Sequence, residues 1–373
     1  MLASLMKSTL KLMSVTVLLS TFVGLFFTAC TSPKAPTLRP CQGDFVVDEN
    51  DTNADLRAIK LCETITGDLQ IINTSLENLD AFENLKTIGG TLLISGNNTL
   101  ISLDGFTNLV SVGGVELTNN NRFSALDGLA ALTTISGSLS ITSNAALSSI
   151  SGLTNLSSIE GSLVIGANTA LKSLEGFSSL TTIGESFGLS GNDGLETVNG
   201  LTSLTAIGGD FSFGPSATLE SANGLSALES VGGSLGISGN PDLVDLQGFS
   251  GLTTVGANLV IRPNASLETL EGLSNLKTVT GSLSIGENDA LSSLAGLASL
   301  DTVGADLIID LNPSLGSIDA LANLGSVGGV SAINGNTIFD CSSYNSEPFS
   351  LPFFPVSQSA GNAVDCVVSS AGA

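Results

Sequence analysis

The sequence predicts an all-β fold, a β-helix or solenoid of about twelve coils, and three observations carry the prediction. The first is a unit of about 24 residues written out without spacers from Gly67 to Asp340, with Gly161–Gly184, GSLVIGANTALKSLEGFSSLTTIG, as a clean copy. A fixed period of this size marks an array in which each unit buries its apolar face only against its neighbours. The second is the Leu-x-Ile step that opens each copy, Leu163 and Ile165 in this one. Its period of two is that of a strand with one buried face.

The third observation is two columns of a single residue type. Asparagine recurs at Asn97, Asn120, Asn144, Asn168, Asn192, Asn240, Asn264, Asn288, Asn312 and Asn336, with Ser216 in the missing place. Asparagine at a corner tolerates left-handed backbone and bonds main-chain groups, so a stack of them satisfies turn after turn. Glycine recurs in the Gly-Leu or Gly-Phe step at Gly105, Gly128, Gly152, Gly176, Gly200, Gly224, Gly248, Gly272 and Gly296, with Ala81 and Ala320 near the ends. Both columns read as structural. Between them Leu171, Leu174, Phe177 and Leu180 are spaced by three among Gly and Ser, which predicts short strands or extended bends, not a helix. Stacked at about 4.8 Å per coil, the array makes a rod on the order of 55 Å long.

Residues 41–66 read as an N-terminal cap. Asp44–Val47 is a strand, and Asn53–Cys62 a short helix with Leu56 and Ile59 on one face, Thr52 or Asn53 as N-cap and Asp55 in the first turn. The acidic run Asp48, Glu49, Asp51, Asp55 lacks the turn glycine and terminal glutamate of a calcium loop, so no metal is assigned there. After residues 67–340 the pattern stops. Residues 341–373, with Pro348, Pro352, Pro355, Phe349, Phe353 and Phe354, read as a C-terminal cap and tail laid over the open core.

Residues 1–29 have the order of a secretory signal: Lys7 and Lys11, then an apolar run from Leu12 to Phe27, then small residues. Phe27-Thr28-Ala29-Cys30 resembles the lipobox of bacterial lipoproteins, with Phe27 where that family has Leu. The resemblance implies an acylated Cys30 and, since Thr31 is not Asp, the outer membrane or cell surface; the alternative is an ordinary signal peptide with an incidental cysteine. Residues 30–40 form a proline-rich tether reaching on the order of 35 Å. Five cysteines are an odd number for an exported chain. Assigning Cys30 to lipid leaves one close pair before the repeats and one after, which predicts disulfides Cys41–Cys62 and Cys341–Cys366, each stabilising by about 3 kcal/mol.

Cys41-Gln-Gly-Asp-Phe-Val-Val, Leu61-Cys-Glu-Thr-Ile-Thr-Gly-Asp-Leu-Gln-Ile71 and Leu85-Lys-Thr-Ile-Gly-Gly-Thr-Leu-Leu-Ile94 resemble the receptor L domain of the insulin and epidermal growth factor receptors. Asn336-Thr-Ile-Phe-Asp-Cys341 is similar to the end of fungal GPI-anchored cell-wall proteins with such repeats. The resemblance covers Cys41 to Cys366 and implies a right-handed, leucine-rich β-helix. In the receptors these domains bind protein hormones. The coils here are more numerous and more regular, and no ligand-contact motif falls on a numbered residue.

A net charge of −23 with no histidine and no tryptophan excludes nucleic acid and anionic membrane surfaces as partners, because both require Lys and Arg against phosphate. Arg122, Arg262, Lys172 and Lys277 are scattered, and the carboxylates Asp104, Asp127, Glu175, Glu271 and Asp319 are interrupted by Ser151, Asn199, Asn223, Gln247 and Ala295. General acid–base chemistry needs paired groups about one bond, so the chain reads as no enzyme, with no cofactor and no metal. Small outward residues such as Ser138, Ser140, Ser186, Gly188, Asp210, Ser212, Ser282 and Ser284, and a second column from Thr87, Ser111 and Thr134 to Ser326, predict flat faces. The leading reading is a monomeric, surface-anchored, non-catalytic binding or adhesion lipoprotein for an extracellular protein or glycan. A passive envelope spacer is the alternative, and ice or crystal-surface binding a third.

Overall fold

The structure, a computed structural model, describes residues 37–336 apart from position 52, together with the strands Ser357–Gln358 and Cys366–Val368. The expected signal segment, Cys30, Cys341 and Phe349, Phe353 and Phe354 lie outside the described residues. The chain forms a parallel β-solenoid, and one coil shows how the repeat folds.

In the coil that begins at Gly161, Leu163–Gly166 is a strand of the longer face. It pairs in parallel and in register with the coils on either side, Leu163 with both Leu139 and Phe187. The chain then turns through Ala167, whose φ is +54°, into Asn168. From Asn168 onward three successive i→i+3 bonds form: Leu171 N–H to Asn168 O at 3.0 Å, Phe177 N–H to Leu174 O at 2.9 Å and Leu180 N–H to Phe177 O at 2.9 Å. A shorter strand, Thr182–Ile183, closes the coil and pairs with Ser158–Ile159 and Ala206–Ile207.

That middle stretch corrects the sequence reading. Each Gly-Leu or Gly-Phe step is a 3-10 helix, Glu175–Phe177 in this coil, where bends or short strands were expected. The spacing of three was its signal: a 3-10 helix has three residues per turn, so positions i and i+3 eclipse. Leu171, Leu174, Phe177 and Leu180 thereby enter one core, each fully buried with Leu163, Ile165 and Ile183. The glycine is needed for coil-to-coil approach, because a Cβ on Gly176 would overlap the carbonyl of Ile150 in the coil before.

The parallel ladder begins before Gly67. Arg39–Cys41 pairs with Cys62–Ile65, and Phe45–Val47 with Leu69–Ile72, so the expected cap is itself the first coil and takes in the last residues of the expected tether. An α-helix, Asn53–Ile59, stands where later coils place the 3-10 turn and packs on the one at Asp80–Phe82. The disulfide Cys41–Cys62 ties this coil to the next, with Cα atoms 5.6 Å apart. At the other end Cys366–Val368 returns antiparallel along Ser331–Asn334, which covers the last long strand and removes a free edge. Cys366 is described in its backbone alone.

One coil carries a compensated change in the core. Phe211 and Phe213 occupy the inward strand positions that are Leu and Ile in most coils, and Ala222 stands where the flanking coils have Val198 and Leu246. Phe211 stacks on Phe187 at 4.7 Å, and Phe213 meets Phe249 edge-on at 5.7 Å. Interiors are packed to near-crystalline density, so extra ring volume requires a smaller neighbour.

Candidate functional site

The asparagines of the column are fully buried apart from Asn336 at the edge, and Asn168 shows how an interior member serves three coils. Asn168 donates its backbone N–H to Asn192 Oδ1 at 3.0 Å, donates from Nδ2 to Ile141 O at 2.8 Å, and accepts the Asn144 N–H at 3.1 Å. The ladder starts at Thr74, whose N–H and hydroxyl both donate to Asn97 Oδ1, a member the sequence pattern did not reveal. The left-handed residue is the one before the asparagine, as at Asn119, Ser143 and Ala167, so the expected left-handed asparagine is corrected by one position. Where Ser216 interrupts the column its hydroxyl donates to Asn192 O, and Asn240 Oδ1 is left buried without a partner among the described residues.

A second ladder runs along the opposite corner and also escaped the sequence reading. Ser138 Oγ accepts the Ser162 N–H at 3.0 Å, Ser162 Oγ that of Ser186, Ser186 Oγ that of Asp210, and Asp210 Oδ1 that of Ser234 at 2.7 Å. Asn258 and Ser282 continue it. Ser138, Ser186, Asp210 and Ser282, expected as small outward positions, are exposed or half-buried, and their side chains also accept backbone N–H groups of the next coil at each bend. A third set, Asn84, Asn108, Asn155 and Asn275, donates to carbonyls of the preceding coil at the 3-10 helices.

The acidic groups have local roles too. Asp104, Asp127, Glu175, Glu271 and Asp319 each head a 3-10 helix, and Asp127 Oδ1 accepts the Ser151 hydroxyl. In the first coil Asp48 Oδ1 accepts the Asn50 N–H and Asp51 Oδ2 the Asp48 N–H, a self-closed turn. Lys172 pairs with Glu196, and Arg262 with Glu287 and Asp310. Lys60 is held above the ordinary lysine range by its hydrogen bond to Glu83 and by that carboxylate's charge. Among the described residues no His, Cys, Asp or Glu cluster has metal-binding geometry, and no helix is long and apolar enough to cross a membrane.

What remains is the outward middle position of the long strand. In register from coil to coil it reads Glu116, Ser140, Val164, Gly188, Ser212, Gly236, Val260, Ser284 and Ile308. Apart from Ser284, which accepts from Arg262, these side chains form no hydrogen bond or ion pair among the described residues. Val164 is 40% exposed, in a column otherwise dominated by small residues. On the short strand the outward column Thr87, Ser111, Thr134, Ser158, Thr182, Ser230, Thr254, Thr278, Thr302 and Ser326 is interrupted by Ala206. Its neighbours Ser157, Thr181, Thr205 and Thr253 donate to carbonyls of the preceding coil.

The long strands thus present one variable outward column on a frame of fixed Leu, Asn and Gly. Residues 61–128 match the Receptor L domain family model. That stretch holds Cys62, the first full coils and the start of the asparagine ladder, and it covers less than half of the chain. Among solved structures, an internalin, InlF, from Listeria monocytogenes is 18% identical over 75% of this chain and 77% of its own, with a TM-score of 0.44. The TLR13–ssRNA13 complex is 15% identical over 76% of this chain, which spans 53% of the TLR13 chain, with a TM-score of 0.30. A comparison with curated proteins gives no match.

Proposed function

We propose that this chain is a surface-anchored, non-catalytic binding lipoprotein that meets an extracellular protein or glycan on the outward face of its long strands. One observation carries the reading. The middle column of the long strand changes from coil to coil, Glu116, Ser140, Val164, Gly188, while the columns beside it are held by core packing and inter-coil hydrogen bonds. Variable side chains on a rigid repeat are how solenoids present an extended recognition surface. The receptor L-domain match over residues 61–128 supports a protein-binding role for the fold. The lipobox-like Phe27-Thr28-Ala29-Cys30 supports anchorage at Cys30.

The test uses the purified chain against glycan arrays and against whole cells. Substituting Ser140, Val164 and Val260 together by Lys is expected to abolish a binding signal and leave the thermal midpoint unchanged. If no ligand is retained and deletion of the gene alters envelope integrity, the spacer reading replaces this one. Anchorage is checked separately: Cys30→Ser should move the protein from the membrane to the soluble fraction, and mass analysis of the wild-type N-terminus should find acyl chains on Cys30.

A further inference from the structure

Just before the asparagine ladder the backbone turns left-handed in coil after coil. Most coils place a small or turn-forming residue there, such as Gly96, Ser143, Ala167 or Gly191, but two late coils place Glu287, at φ +57°, and Leu311, at φ +55°. A long side chain in this region is disfavoured by contact of Cβ with its own carbonyl. Leu311 is 51% exposed, so core burial does not offset that strain. A bulky residue held left-handed with its apolar side chain in water points to a role beyond folding.

Leu311 lines a groove of about 470 Å3 with Pro263, Ala265, Glu287, Asp289 and Pro313. Room for its side chain comes from the next coil, where a Cβ on Gly335 would lie 2.9 Å from Leu311 Cδ2. Arg262 holds Glu287 at 2.6 Å and Asp310 at 3.1 Å, which commits the neighbouring cation and fixes Glu287 along the wall. Asp289 has no ion pair among the described residues. The groove thus sets the apolar side chains of Pro263, Ala265, Leu311 and Pro313 beside the carboxylates of Glu287 and Asp289.

We infer that this groove docks an extended peptide segment of another protein, one that carries an apolar side chain next to a Lys or Arg. The inference rests on the binding role proposed above and gives it a second contact site and a partner chemistry. Charge decides the occupant. The chain's own residues 337–373 contain Asp340, Glu347 and Asp365 and no Lys or Arg, and a second copy carries the same net charge of −23. One cation, Arg262, faces the three carboxylates Glu287, Asp310 and Asp289, so the surplus charge, with Asp289 outside any ion pair among the described residues, repels both and attracts a basic segment.

The test measures binding of labelled peptides to the full chain: an alternating Leu–Lys nonapeptide, a Ser–Lys peptide of equal charge and a Leu–Glu peptide. The Leu–Lys peptide is expected to bind, with an affinity that falls as salt rises, the Ser–Lys peptide at least tenfold more weakly, and the Leu–Glu peptide not at all. Leu311→Gly is the decisive variant. Relief of the left-handed strain should raise the thermal midpoint, while affinity for the Leu–Lys peptide drops at least tenfold; a merely structural residue would not separate the two. Asp289→Asn should weaken binding several-fold, and Asp193→Asn, the equivalent position four coils earlier, should leave it unchanged.

Equal effects of Asp193→Asn and Asp289→Asn, or full affinity in Leu311→Gly, would overturn the inference. So would protection of Leu311→Cys from a maleimide in the unliganded chain, which would assign the groove to the chain's own tail, or a dimer abolished by Leu311→Gly, which would assign it to a second copy. If the outward-column variant loses a cell-surface ligand while the peptides fail to bind, the groove inference falls and the proposed function stands. If no probe and no cell surface is bound, both fall.

Discussion

The Asn144 backbone N–H donates to Asn168 Oδ1 at 3.1 Å, and Asn168 returns a bond from Nδ2 to the Ile141 carbonyl at 2.8 Å. One buried side chain thus satisfies a donor and an acceptor of the coil before it. Asn168→Ala would orphan both, at about 1–3 kcal/mol for each buried group, so a loss of about 2–6 kcal/mol is expected in urea denaturation. Asn168→Asp retains the acceptor but sets a carboxylate against Ile141 O, and is expected to be at least as damaging at pH 7 and milder in acid. A loss below about 0.5 kcal/mol for the alanine variant would mean that water replaces the ladder.

Two glycines of one coil, Gly188 in its long strand and Gly200 in its 3-10 helix, separate backbone crowding from loss of flexibility. A Cβ on Gly200 would overlap the Leu174 carbonyl, whereas one on Gly188 would meet only Val164 Cγ1 at 4.0 Å. Gly200→Ala is therefore expected to destabilise by about 3 kcal/mol or more, since the whole coil must move. Gly188→Ala should lie within about 0.5 kcal/mol of wild type. Thermal midpoints of the two purified variants decide it, and similar values would refute the close-approach argument.

These contrasts show what the sequence could and could not disclose. Leu163, Ile165 and the asparagine column were legible because a buried side chain recurs at a fixed place in every coil, and register follows from that place. The 3-10 helix at Glu175–Phe177 was concealed because it is three residues long with glycine at its centre and no helix-forming run around it, although the spacing of three was in plain view. The Ser138–Ser162–Ser186 ladder was hidden for a different reason: serine is also the ordinary filler of exposed strands, and only geometry separates a hydroxyl bound to the next coil from one facing water. Leu311 gave no signal at all, since its backbone angle is not written in its identity.

The ring-rich coil offers a test of volume exchange. Phe213 is larger than the Ile237 and Leu189 beside it, and Ala222 is smaller than Val198 and Leu246. Ala222→Leu alone should overpack the coil and destabilise by about 1–3 kcal/mol, and Phe213→Ile alone should open a void and destabilise by a similar amount, about 1–3 kcal/mol. The double variant restores the summed volume, so a double-mutant cycle should give a favourable coupling of about 1–2 kcal/mol. Additive losses would show that the two sites relax independently.

The disulfide Cys41–Cys62 spans a sequence separation of 21 and encloses the strand Phe45–Val47 and the helix Asn53–Ile59. Seven residues make too short a helix to persist alone in water; it packs on the first 3-10 turn, with Ile59 buried and Leu56 half-buried against the core. Closing a loop of this size restricts the unfolded chain by about 3 kcal/mol in the chain-entropy picture. Replacing both cysteines by Ser should therefore lower the stability of this end by about 3 kcal/mol. Because each coil touches only its neighbours, the loss should stay local: hydrogen exchange is expected to quicken over residues 39–66 and to stay unchanged beyond about the third coil. Uniform acceleration along the ladder from Asn97 to Asn336 would show instead that the solenoid opens as one cooperative body.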